Sequence, residues 1–176
     1  MFKVLLIIIS TWLSSNLIFA TTYHQFDTIV GPKPTSLGYA FSSLSNDGSG
    51  LYLNPAGMAM IQNNHVQVTS FKQLEATNST IETVYRYNNI TIGFGFKYSQ
   101  LDGFQETVEE DGVLQETGKS FNYSGSLLVI GLAGSTLDDD LLWGITISKL
   151  SQRLYEKSTT GGYASDIGLL YRTTNA

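Results

Sequence analysis

The chain divides into two parts with different hydrophobic spacing. From residue 64 onward, apolar positions recur at every second residue. Ile90, Ile92, Phe94, Phe96 and Tyr98 point one way, and Thr91, Gly93, Gly95 and Lys97 the other. That is the period of a β-strand with two unlike faces. Leu141, Trp143, Ile145 and Ile147 oppose Gly144, Thr146 and Ser148 in the same manner, and Tyr163, Ile167, Leu169 and Tyr171 alternate with Ala164, Asp166, Gly168 and Arg172. In 121–132, Tyr123, Leu127 and Val129 oppose Asn122, Ser124 and Ser126, with Leu128 and Ile130 blurring the pattern. Segments 65–71 and 81–87 alternate more weakly. The pattern predicts about six strands. Asn88-Asn89 makes a tight connection and 133–140 a moderate one, whereas 101–120 reads as a long acidic loop with Asp111-Gly112 as a hairpin tip.

One face of these strands is large and apolar; the other is mostly Gly, Ser and Thr. A soluble sandwich buries its apolar face and places charged side chains outside. Small residues on the second face suit the interior of a barrel whose apolar face meets lipid. The expected fold class is therefore all-β, an antiparallel transmembrane β-barrel, with Thr91, Gly93, Gly95, Lys97, Gly144, Thr146, Ser148 and Asp166 facing the lumen. Tyr85, Tyr87, Tyr98, Phe121, Tyr123, Tyr155, Tyr163 and Tyr171, near strand ends, supply candidate interfacial girdles. Alternating short turns and one long loop fit the two sides of an outer membrane.

Before residue 64 the period is lost. Residues 1–20 read as a secretory signal, with Lys3 before the apolar run that Val4 opens and Ala20 at the cleavage point. An extended segment over 21–34 follows, in which Pro32 and Pro34 oppose helix. A short helix is predicted over 35–43, a turn at Asn46-Asp47-Gly48, another turn or helix over 50–53, and a tight turn at Asn54-Pro55. Segment 31–61 is crowded with Gly, Ala and Ser, builds little core of its own, and is expected to pack closely inside something else. The organisation is a leader over 1–20, a hatch segment over 21–63, and strands over 64–176.

Composition narrows the chemistry. Cysteine is absent, so there is no disulfide framework and no thiolate site. The net charge is −5 with no Lys/Arg cluster, which argues against nucleic acid as a partner. Charged residues are 14% against about 25% in ordinary soluble domains. His24 and His65 stand at no metal-ligand spacing, and no nucleophile elbow, P-loop or dinucleotide fingerprint occurs. The acidic runs at 109–111 and 138–140 read as solvated turns. No enzyme, cofactor or metal is expected.

The sharpest motif is Asn54-Pro55-Ala56-Gly57, preceded by Leu37-Gly38-Tyr39-Ala40 and Asn46-Asp47-Gly48. This stretch resembles the N-terminal hatch of the FadL/PorV-like outer-membrane β-barrel family. Segment 161–172, with Asp166, Gly168 and Tyr171, is similar to that family's Asp-x-Gly-x-x-Tyr core. The resemblance implies a monomeric barrel of about fourteen strands with a lumenal plug, here carried by Gly38, Asn46, Asp47, Asn54, Pro55, Ala56 and Gly57. Because single-chain bacterial barrels need at least about eight strands, the chain is expected to be the N-terminal part of a longer one. The implied location is the bacterial outer membrane and the implied function a passive channel for long-chain fatty acids or other hydrophobic solutes. Outer-membrane lipid and a hydrophobic small molecule would be its partners. An alternative is a PorV-like type IX secretion or surface-assembly barrel that binds exported protein cargo. A second alternative is a secreted soluble β-sandwich adhesin.

Overall fold

The computed structural model of the chain describes residues 31–172 except 74, 111, 137–139 and 155–157. The leader over 1–20, the segment 21–30, Tyr155 and the run at 138–139 lie outside the described residues. The fold is all-β: β1 (His65–Gln73), β2 (Ala76–Tyr87), β3 (Ile90–Glu110), β4 (Val113–Ser135), β5 (Leu141–Leu154) and β6 (Ser158–Tyr171). They form one antiparallel sheet in sequence order. The sheet is not closed: among the described residues β1 and β6 each keep an unpaired edge. Asn88, at positive φ of 53°, makes the two-residue turn from β2 to β3, a backbone region that Asn tolerates better than most residues.

The expected loop over 101–120 is corrected. β3 and β4 continue through it as a long hairpin, with pairs from Gln105↔Ser120 outward to Glu110↔Val113 and register shifts between Leu101/Phe104 and Gln105/Thr107. Polarity misled here because a ladder is held by backbone groups whatever the side chains carry. Thr, Val and Phe supply the strand preference, Gly112 (φ 78°) turns the tip, and the Phe104 and Phe121 rings stack at 5.3 Å.

The register sorts the side chains into rows. On the outer face, Val66–Thr83–Phe94–Ile130–Ile147 and Val68–Ile81–Phe96–Leu128–Lys149–Tyr163 lie side by side. On the opposite face run Val84–Gly93–Gly131–Thr146–Asp166 and, below it, Arg86–Thr91–Ala133–Gly144–Gly168. The expected facing of β4 is therefore inverted. Leu128 and Ile130 belong to the outer face, and Tyr123, Leu127 and Val129 to the other. Both sides of β4 are apolar because its inner side lies under the N-terminal segment.

Residues 31–61 fold across that inner side. α1 (Pro32–Ser36) is helical where the two prolines were expected to prevent it. Pro32 and Pro34 fall in the first turn, where backbone N–H groups have no intrahelical acceptor, so their missing donors cost nothing. The helix expected over 35–43 stops at Ser36, since Gly38 (φ 58°) and Tyr39 (φ 68°) are left-handed. After a run of turns come α2 (Gly50–Leu53) and a 3-10 helix (Pro55–Met60). Leu51, Ala56, Met58, Ala59 and Ile61 from this segment pack with Val84, Val129, Ala133 and Leu142 of the sheet as one buried cluster. Burying Leu51 and Met58 contributes roughly 2–3 kcal/mol each.

Candidate functional site

The candidate site is the seam between residues 31–61 and the covered face. Its floor is made by two cross-strand glycine pairs. Gly144 and Gly168 face each other on β5 and β6. A Cβ on Gly144 would meet the backbone of Pro55 and Ala56, and one on Gly168 would meet Asn54 Oδ1. Gly93 and Gly131 pair across β3 and β4. A Cβ there would fall 2.7–2.9 Å from the tips of Met58 and Leu51. No residue with a side chain lets backbone approach backbone this closely. Gly95 gives the same clearance to the Tyr52 hydroxyl, 2.5 Å from where its Cβ would stand.

Two anchors fix the segment on this floor. Asn54 caps the 3-10 helix, its Oδ1 accepting from the Ala56 N–H at 3.1 Å, while Nδ2 donates to the Ser42 carbonyl at 3.2 Å. At the other end Arg86 Nη1 donates to the carbonyls of Ala59 at 2.9 Å and Ile61 at 2.8 Å, and Nε donates to Asn88 O at 3.1 Å. A guanidinium suits carbonyls that a helix end leaves without partners. The first anchor sits over β5 and β6 and the second over β2, so the segment is held across the sheet.

Between the anchors lies a buried polar layer. Asp47 Oδ1 accepts from the N–H and the hydroxyl of Ser49, ordering the turn before α2. Gly48 lies directly on Glu82, 2.7 Å between its would-be Cβ and that of Glu82. Glu82 is wholly buried and Lys97 is 2% exposed. Charges on Asp47 and Lys97 both act on the Glu82 carboxylate, and the cation offsets part of the cost of burying two acids. Burial raises the Tyr52 hydroxyl above the ordinary tyrosine range, and the nearby Glu82 charge adds to this. Among the described residues the hydroxyls of Tyr52 and Thr91 have no hydrogen-bond partner, while the neighbouring Thr80 hydroxyl acts on the Glu82 carboxylate.

The residues singled out in the sequence fall in three places. Asp47, Pro55, Ala56 and Gly57 are buried in the segment, and Asn54 lies partly buried at the seam. Thr91, Gly93, Gly95, Lys97, Gly144, Thr146 and Ser148 line the covered face. Asp166 is exposed on β6 but accepts from the Thr146 hydroxyl at 3.1 Å. Gly38 and Asn46 are exposed, and open space surrounds Gly38. Sequence reasoning did not single out Arg86, Glu82, Tyr52 or Gly131. Gly168 carried a readable signal, its place in the 163–171 alternation. No group of three or more metal-ligating side chains occurs among the described residues.

The groups of this seam are arranged for packing residues 31–61 on the sheet. No curated protein and no solved structure matches the chain. The resemblance to FadL/PorV-like barrels is corrected by comparison with family models, because no FadL or PorV family is found. The quoted motifs are short, and the clearance needed at Gly144 and Gly168 would select small residues under any closely packed segment. What matches is the model of an uncharacterised protein family, UPF0164, over residues 15–152, and the chain belongs to that family.

Proposed function

We propose that the chain forms part of an outer-membrane β-barrel in which residues 31–61 serve as a lumenal plug. The assembled barrel is read as a passive channel for hydrophobic solutes such as fatty acids. The observation that carries this reading is the inversion of the two faces. The outer face exposes a continuous apolar sheet surface, with Val68 72%, Ile147 62% and Ile167 80% accessible, whereas Lys97, Glu82 and Thr91 on the other face are buried. In water that arrangement would be costly; against lipid it is the expected one. The apolar run on β3 extends from Ile90 to Tyr98, close to the about 9–11 residues a tilted strand needs to span. Closure requires further strands, because open edges in hydrocarbon leave backbone groups unpaired.

The seam supports this choice of solute class. Displacing the segment would uncover Val84, Val129, Leu142 and a floor of glycines, with Lys97 and Thr91 beside them, a surface suited to an amphiphile with an apolar chain. Full-length protein in liposomes is expected to take up long-chain fatty acid faster when residues 54–57 are deleted, with heat-modifiable migration retained as the sign of a folded barrel. Unchanged uptake would remove the gating role. A detergent-independent soluble protein without heat-modifiable migration would remove the barrel.

The long β3–β4 hairpin favours a second reading, a scaffold for an exported protein. It exposes Val108, Val113 and Leu114 on a projecting element, where apolar side chains are positioned for a protein partner. Pull-down with the full-length protein tests this; no enrichment over an unrelated barrel sinks it.

A further inference from the structure

The outer face is not uniformly apolar. Along the seam between β4 and β5, a depression of about 480 Å³ is lined almost wholly by apolar side chains, among them Ile92, Leu128, Ile130, Ile145 and Ile147. Its upper end is closed by Lys149, whose Nζ lies 6.0 Å from the centre of the Tyr163 ring. Leu128 pairs with Lys149, the next outer row is Ser126↔Ser151, and the next is Ser124↔Arg153. Lys149 and Arg153 therefore project from the same face of β5, about 13 Å apart along the strand. Beyond them a wider cavity of about 790 Å³ is lined by Arg153, Lys119, Tyr98, Gln100 and Asn122, and among the described residues no carboxylate lines it. The apolar depression and the cationic, hydrogen-bonding cavity thus follow one another along the same face of β4 and β5.

We propose that this seam is a binding site for a membrane lipid with a negatively charged phosphate headgroup. Its acyl chain lies along Ile130, Ile145 and Ile147, and its phosphate sits between Lys149 and Arg153, with Lys119 above. The proposal rests on the reading of this face as membrane-facing. Two features select the lipid over other occupants. The polarity changes along successive rows of one face, from Ile130↔Ile147 through Leu128↔Lys149 to Ser124↔Arg153, as it does along an amphiphile. The aromatic ring beside Lys149 stands where the apolar run gives way to serines, the depth at which tyrosine and lysine meet headgroups. Lys149 and Arg153 are both exposed, and neither has a carboxylate partner among the described residues. A guanidinium and an ammonium in reach of one phosphate is a strong anion pair.

The test uses the full-length protein, purified in detergent with equimolar phosphatidylglycerol and phosphatidylcholine and read by native mass spectrometry. The wild type is expected to retain phosphatidylglycerol preferentially. Each of Lys149→Gln and Arg153→Gln should lower that preference about fivefold, and the double variant should abolish it. Lys72→Gln, which removes a cation from the outer face of β1, should leave it intact. Equal retention of both lipids by the wild type, or a preference unchanged in the double variant, overturns the site. So does displacement of the lipid by excess inorganic phosphate, which would make the cations a free-anion site. Heat-modifiable migration of the same samples separates the two levels. A protein that shows it but lacks lipid preference loses this site and keeps the membrane reading; one without it loses both.

Discussion

β3 passes through two environments, and the contrast between its halves separates what a sheet needs from what a covered sheet needs. From Thr91 to Lys97 its inner positions lie beneath residues 31–61 and are small or buried. From Phe104 to Glu110 it pairs with β4 as a projecting hairpin whose described side chains are almost all exposed. The backbone ladder is common to both. What differs is a third layer, and that layer dictates residue size. Where Leu51, Met58 and Tyr52 press on the strand, glycine is required at 93 and 95. Where nothing presses, Thr, Gln and Glu serve as well as any other residue.

The largest way to break this contrast is to fill the floor. Gly144→Val places its Cβ into the backbone of Pro55 and Ala56, which cannot step aside as a side-chain tip can. The expected cost is about 3 kcal/mol or more, read as a lowered urea midpoint and as protease cleavage within 31–61. Gly162→Val serves as its control, because no atom lies within 4 Å of the added Cβ; its effect should be within about 0.5 kcal/mol. Equal losses for both would remove the distinction between covered and free glycines.

Next in size is the anchor at the far end of the 3-10 helix. Arg86→Gln loses the charge-assisted bonds to Ala59 and Ile61, with an expected loss of about 2 kcal/mol. Amide exchange should rise over 55–61 and stay unchanged over 104–121. Arg86→Lys should recover only part, since a single ammonium cannot span three carbonyls as the guanidinium does. Full recovery by lysine would reduce the anchor to its charge.

A pH effect should also be confined to the covered half. The Tyr52 hydroxyl is held neutral by burial first and by the Glu82 charge second. A folded pKa above the unfolded one means that its contribution is complete below about pH 10 and is lost as pH rises, because the unfolded chain sheds the proton first. Stability of the docked segment should fall by up to about 1.4 kcal/mol per pH unit above pH 10. In Tyr52→Phe that part of the slope should vanish when protection of 50–61 is followed. A slope unaltered by the substitution would place Tyr52 in contact with water.

How much of this was legible follows from the same contrast. The alternation of Ile90 to Tyr98 with Thr91 to Lys97 could be read because a covering layer writes size into every second position. The facing of β4 does not show in the sequence because it is apolar on both sides, one on the uncovered face and one beneath Leu51 and Met58, which erases the alternation around Leu128 and Val129. The hairpin over 101–120 reads as a loop in the sequence because its polar residues carry no facial pattern when neither face is covered. Arg86 and Glu82 gave no local sign, since their roles depend on residues 59–61 and 47–48 reaching them through the fold. The prolines of α1 misled through position: the same residue opposes a helix interior and suits its first turn.

The smallest expected effect lies in the hairpin. Phe104 stacks on Phe121 at an interplanar angle of 14°, and the two face each other across the first pair beyond the register shift. With Phe104 partly exposed, Phe104→Ala should cost about 0.5–1 kcal/mol of hairpin stability. Protection should fall over 105–120 and hold over 90–97 and 123–133. The separation is expected because the shift at Leu101/Phe104 interrupts the ladder, so fraying beyond it need not propagate inward. If the substitution instead loosens residues 91–97, the two halves of β3 unfold as one cooperative unit. The third layer would then stabilise the hairpin as well as the strand beneath it.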